Sequence, residues 1–106
     1  MSLFRREKRG PRRAVWNGVV VAEAPATITV DGREYFAPEA VDWSHLEPSP
    51  STSVCHWKGV ATYFDLVDGS NRLKDAAWTY ADPSPEAARI KGHIGFWRGV
   101  TVVGAQ

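Results

Sequence analysis

Three dipeptides constrain this chain more than any other feature: Asn17-Gly18, Asp31-Gly32 and Asp68-Gly69. Each supplies the positive φ angles that a tight hairpin turn demands. The first separates residues 14–16 from the apolar run 19–22. The second separates residues 27–30 from 34–36. The third closes the run 59–67, which is rich in β-branched and aromatic residues. Turns this close together leave no room for long helices. Strand alternation then assigns faces. Val60, Thr62, Phe64 and Leu66 share one face, and Ala61, Tyr63, Asp65 and Val67 the other. Ala76, Trp78 and Tyr80 point one way. Ile94 and Phe96 form a core face, with His93, Gly95 and Trp97 opposite. Gly99 leads into a closing strand at 100–103. Prolines open two short helical turns at 38–41 and 85–89, the second with Ser84 as its N-cap. The expectation is an all-β domain of seven to nine short antiparallel strands.

Composition excludes several alternatives. At 106 residues, with 43% hydrophobic and 24% charged residues, the chain suits one soluble domain with its own core. Its single cysteine, Cys55, permits no internal disulfide and no four-cysteine zinc site. A lone thiol points to a reducing, cytoplasmic setting. No stretch approaches the roughly 20 apolar residues of a membrane span. The first residues carry no apolar run after their basic side chains, so no signal peptide is expected.

Net charge is only +1, yet residues 5–13 carry a local +5 and the remainder −4. Residues 1–12 therefore read as a basic, mobile arm ahead of a domain at 13–106. Such an arm can touch nucleic acid. It carries no interleaved aromatics to stack on bases, which argues against that role.

One stretch stands apart. Residues 51–63 bring together Cys55, His56, Trp57, Lys58, Gly59 and Tyr63. The segment resembles the signature Thr-x-Cys-Pro-Tyr-Lys-Gly-x-Ala-x-Tyr of the domain of unknown function 427 family. Val21-Ala22-Glu23, Tyr35-Phe36-Ala37-Pro38, residues 76–80 with Pro83, and residues 90–97 resemble further elements of that family, over about residues 13–103. His56 departs from its proline and Trp57 from its tyrosine. The resemblance implies a β-tent, two antiparallel sheets meeting at an angle, as in methionine-R-sulfoxide reductases and the ligand-binding domain of cereblon. Those relatives hold a structural zinc on two cysteine pairs. With one cysteine, this chain folds without that metal. The family is sometimes labelled a nucleotidyltransferase.

Each chemical candidate has a structural counterpart. Cys55 is a candidate nucleophile, activated by Lys58 and His93 if they converge, or a buried thiol. Alternation separates residues 55 and 58 unless a turn or bulge intervenes. Lys58 is an anion anchor, or a salt-bridged lysine lying along Trp57. His93 is a general base or a hydrogen-bonded structural histidine. Five tryptophans make a cage or simply a core of large rings. No spacing supports a metal site on Cys55, His56 and His93. Nucleotidyl transfer needs metal-binding carboxylates and a phosphate loop. Asp65 and Asp68 point to opposite strand faces, and no glycine-rich loop opens a helix.

The leading reading is a small-molecule-binding module. Trp57, Lys58, Tyr63, Trp78, Tyr80 and His93 line its aromatic pocket, with no cofactor or metal expected. The first alternative is an enzyme using Cys55 or Lys58 with His93 as base. The second is an interaction module or homodimer built on exposed aromatics.

Overall fold

A computed structural model describes residues 5–104. Eight strands run β1 (Arg5–Trp16), β2 (Val19–Val30), β3 (Arg33–Phe36), β4 (Leu46–Cys55), β5 (Gly59–Asp68), β6 (Asn71–Thr79), β7 (Ile94–Phe96) and β8 (Thr101–Gly104). All pairings are antiparallel, and the spatial order is β4-β5-β6-β7-β3-β2-β1-β8. The domain is all-β, as the turns require. The strands expected to divide between two sheets follow one another in one hydrogen-bonded order. Two halves are nonetheless recognisable, because only Tyr35↔Gly95 and Phe36↔Ile94 join β3 to β7. No helix among the described residues is long and apolar enough to cross a membrane.

Two of the three predicted turns form on their Asx-Gly pairs; in the third, Asp68 pairs with Asn71 and Gly69-Ser70 makes the turn, with Gly69 at φ 60° and Asp68 in the strand. Asn17 and Gly18 adopt φ of 54° and 76°, and Asp31 and Gly32 adopt 52° and 76°. These left-handed pairs match the type I′ hairpin. The expected helical turns appear as 3₁₀ segments, Pro38–Ala40 and Pro85–Ile90. Ser84 precedes the second but makes no side-chain cap. β1 begins at Arg5, so the boundary placed at residues 12–13 falls inside a strand; residues 1–4 lie outside the described part. Two arginines of the basic stretch are committed to partners on β2 and β3. Arg12 makes a bidentate pair with Glu34, at 2.8 and 2.7 Å, and Arg13 reaches Glu23 at 3.1 Å.

Each face of the sheet carries a core. Ala14, Val21, Phe36, Leu66, Ile94 and Phe96 anchor one cluster. Val30, Tyr35, Ala61, Trp78, Tyr80 and Ile90 anchor the other. The alternation assigned to β7 holds, with Trp97 packing against the second cluster. Ala76 instead joins Ala77 in the first cluster, just after Asp75 at φ 53°.

The centre of the second face is a row across three strands. Gly95 pairs with Tyr35 on one side and Trp78 on the other. The Trp78 indole lies over Gly95, and a Cβ there would stand 2.6 Å from Trp78 Cζ2 and 2.8 Å from Cε2. The rigid indole cannot move aside without losing its own packing. Gly95→Ala is therefore expected to cost about 1–3 kcal/mol, the range for overpacking. Gly104→Ala meets only an Arg12 side-chain atom, at 3.6 Å, and serves as the near-neutral control. Urea unfolding of the two variants checks this; equal midpoints would refute the steric account.

Candidate functional site

The site starts from a three-residue loop. Cys55 and Gly59 are register partners, so His56, Trp57 and Lys58 bridge β4 to β5. Gly59 sits at φ 116°, a conformation L side chains rarely adopt. The loop packs closely on the next segment: a Cβ at Gly59 would lie 3.5 Å from the Asp82 carbonyl. Ser84 fastens the loop there. Its backbone N–H donates to the Lys58 carbonyl at 3.0 Å, and its hydroxyl donates to the Trp57 carbonyl. That is where the hydroxyl expected to cap a helix is used.

The loop turns residues 55 and 58 toward each other, as regular alternation would not. Burial pushes the Cys55 thiol up. The backbone N–H groups of Lys58 and Trp57, with the Lys58 ammonium, outweigh it and leave the thiol below its ordinary value.

Lys58 is the buried cation of the site. Its side chain is 8% exposed, and its Nζ lies 2.6 Å from Asp31 Oδ2 in the β2–β3 turn. The ammonium also lies over two rings, 4.8 Å from the centroid of Trp57 and 5.8 Å from that of Tyr80. Trp57 Nε1 donates to the same Asp31 oxygen at 3.2 Å. Burial favours the neutral amine, but the Asp31 hydrogen bond and the neighbouring phenols prevail and raise the Lys58 pKa.

Beside this pair opens a cleft of about 280 Å³. Asp31, Arg33 and Lys58 supply its charges, and Tyr35, Tyr63, Trp78, Tyr80 and Trp97 its aromatic walls. Trp78 Nε1 donates to the Tyr35 hydroxyl at 3.2 Å, and Trp97 Nε1 to the Asp75 carbonyl at 2.6 Å. The Tyr63 hydroxyl lies 2.8 Å from Ser53 Oγ. Trp78 and Trp97 meet edge to face at 5.5 Å, and the Arg33 guanidinium lies 5.9 Å from the Trp97 ring. Burial pushes the Tyr35 phenol up and drives that of Tyr80 to about 12.

Four of the six residues expected in a pocket line this cleft: Lys58, Tyr63, Trp78 and Tyr80. Trp57 backs Lys58 from behind. Cys55 packs on the same cluster without lining the cleft. His93 turns toward the Lys91 carbonyl, 3.2 Å from its Nδ1, and no hydrogen bond joins it to Cys55 or Lys58 among the described residues. Asp31, Arg33, Tyr35 and Trp97 were not singled out from the sequence. Trp97 had a signal, since alternation set it on the face away from Ile94 and Phe96. Asp31 had none beyond its turn. Asp65 is structural: it accepts from Arg72 at 2.8 Å and from the Asp75 backbone at 2.8 Å. No group of three or more His, Cys, Asp or Glu is placed to hold a metal among the described residues.

The family model for a domain of unknown function, DUF427, matches residues 6–104. The chain belongs to the DUF427 family. A search of curated proteins finds no match. In this DUF427 chain, the signature residues Lys58, Gly59 and Tyr63 all serve the cleft or the loop that shapes it.

The Lys58–Asp31 pair generates an asymmetric prediction. Asp31→Asn keeps a residue that tolerates the turn's positive φ but leaves a buried ammonium without its counter-charge. A fully buried pair broken this way costs about 3–5 kcal/mol. Asp31 is 44% exposed, so screening reduces the expected cost to about 1–2 kcal/mol. Lys58→Met removes the charge and keeps the stem, and should cost less. Denaturant midpoints decide the order; a larger loss for Lys58→Met would contradict it.

Proposed function

We propose that this DUF427 protein is a small-molecule-binding module whose ligand occupies the cleft beside Lys58. The supporting observation is an open cavity that joins aromatic walls to a buried, charged lysine. Soluble ligand sites have this character: apolar surface for affinity and a few polar groups for orientation. A polar ligand with a carbonyl or anionic group suits these groups.

A thermal-shift screen against nucleotides, nucleosides, cyclic imides, amino-acid derivatives and divalent metals tests this reading. A ligand at about 100 times its dissociation constant stabilises by roughly 2.7 kcal/mol. In a domain of this size that moves Tm by more than about 10 °C. The shift should vanish in Trp97→Ala, which removes a wall of the cleft. A screen with no shift, or a shift unchanged in that variant, would remove the cleft from the account.

The Cys55–Lys58 convergence favours one second reading, an enzyme in which the Cys55 thiolate, behind the lining of the cleft, attacks the acyl carbon of a ligand and forms an S–C bond as the bond to the leaving group breaks and that group departs. Lys58, rather than His93, is then the activating group. The rate of Cys55 alkylation by iodoacetamide should rise with a midpoint below the ordinary thiol value of about 8.5. Lys58→Met should move that midpoint upward. An unshifted profile in both proteins would sink the thiol reading.

A further inference from the structure

We propose that the cleft takes a small planar monoanion, an aromatic or heteroaromatic ring bearing one carboxylate. This deepens the binding-module reading and rests on it. Donors outnumber acceptors in the cleft. Its only carboxylate, Asp31, already accepts from Lys58 and Trp57 on one oxygen. Tyr80 is more than nine-tenths buried, and its hydroxyl makes no hydrogen bond with any other described residue. The Tyr35 hydroxyl accepts from Trp78, but its own proton reaches no described acceptor. Both phenols hold their protons well above neutrality, so both remain donors. Arg33 is exposed at the cleft and forms no salt bridge among the described residues, which leaves its guanidinium fork open. The Tyr80 hydroxyl is not sealed off and meets solvent through the cleft, so a ligand that supplies oxygen lone pairs can take the place of water there, and a charged acceptor makes the stronger bond.

The walls are different. Trp78, Trp97 and Tyr63 have their polar atoms engaged with Tyr35, Asp75 and Ser53. What they offer a ligand is ring surface. Complementarity therefore calls for a flat apolar body with acceptors at one end. The charge count narrows this further. Arg33 and Lys58 against Asp31 leave one net positive charge, which a single carboxylate neutralises. A cationic ligand would meet two like charges against a single carboxylate already paired with Lys58. A second anionic group would meet Asp31, which is 44% exposed. The volume, about 280 Å³, lies just under the usual range for drug-sized ligands and suits one ring or a fused pair.

The test is a matched panel: benzoate and indole-3-carboxylate, their carboxamides, and benzylammonium. Each is titrated at low salt and followed by tryptophan fluorescence. The acids should bind at least tenfold more tightly than the amides, with no saturable binding of benzylammonium. Tyr80→Phe should weaken the acids by about tenfold, the loss for one hydrogen bond to a charged group. Arg33→Gln changes an exposed residue and so keeps the fold. It should narrow the acid–amide gap and flatten its salt dependence. Amides that bind as well as acids would overturn the monoanion and leave the pocket standing. A silent panel beside a hit from the broad screen would do the same. Silence in both would remove the pocket itself.

Discussion

The Trp78 indole lies across β7 at the one position there that has no side chain. Gly95 is the hinge of the whole arrangement, because it pairs with Tyr35 on β3 and with Trp78 on β6. Any Cβ at that point would sit inside the indole. The same row closes the short β3–β7 seam that joins the two halves of the sheet. It also aims Trp78 Nε1 at the Tyr35 hydroxyl and so builds a wall of the cleft. Fold and site thus depend on one packing contact. The contact is apolar and buried, with Tyr35 2% and Trp78 7% exposed, and solvent cannot compensate its loss.

A charge pair completes what the seam begins. Asp31 comes from the β2–β3 turn and Lys58 from the β4–β5 loop, on opposite halves of the sheet. Their contact ties the halves together at the cleft. Lysine is an expensive residue to bury, and here its charge is shared among a carboxylate, two ring faces and the neighbouring thiol. The same ammonium that ties the halves also lowers the Cys55 pKa and sets the electrostatics of the cleft. A lysine held this way has little freedom to move, and under the proposed binding reading that favours recognition by a preformed site.

Much of the fold was legible because hairpin chemistry is local. Asn17-Gly18 and Asp31-Gly32 specify their turns through φ alone, and the faces of β7 follow from a period of two. β4 was not legible. Its sequence, LEPSPSTSVC, is poor in strand formers and carries two prolines. It pairs on one side only, as an edge strand that tolerates proline. The meeting of Cys55 with Lys58 was also hidden, since it depends on a loop that interrupts alternation. The strand pairing of the basic stretch was hidden for a related reason. A run of basic residues looks solvated until partners such as Glu34 and Glu23 arrive from other strands.

By itself the sequence determined the all-β class, the main hairpin turns and the aromatic character of the Lys58 region, because each follows from short-range sterics and residue chemistry. Only the tertiary structure decided which groups share the cleft. Asp31, Arg33 and Tyr35 come from the second hairpin, Lys58 and Tyr63 from beyond the β4–β5 loop, and Trp78 and Trp97 from β6 and the end of β7. Their convergence is set by long-range strand order and by the space left over Gly95. Neither is encoded in any local window of the chain.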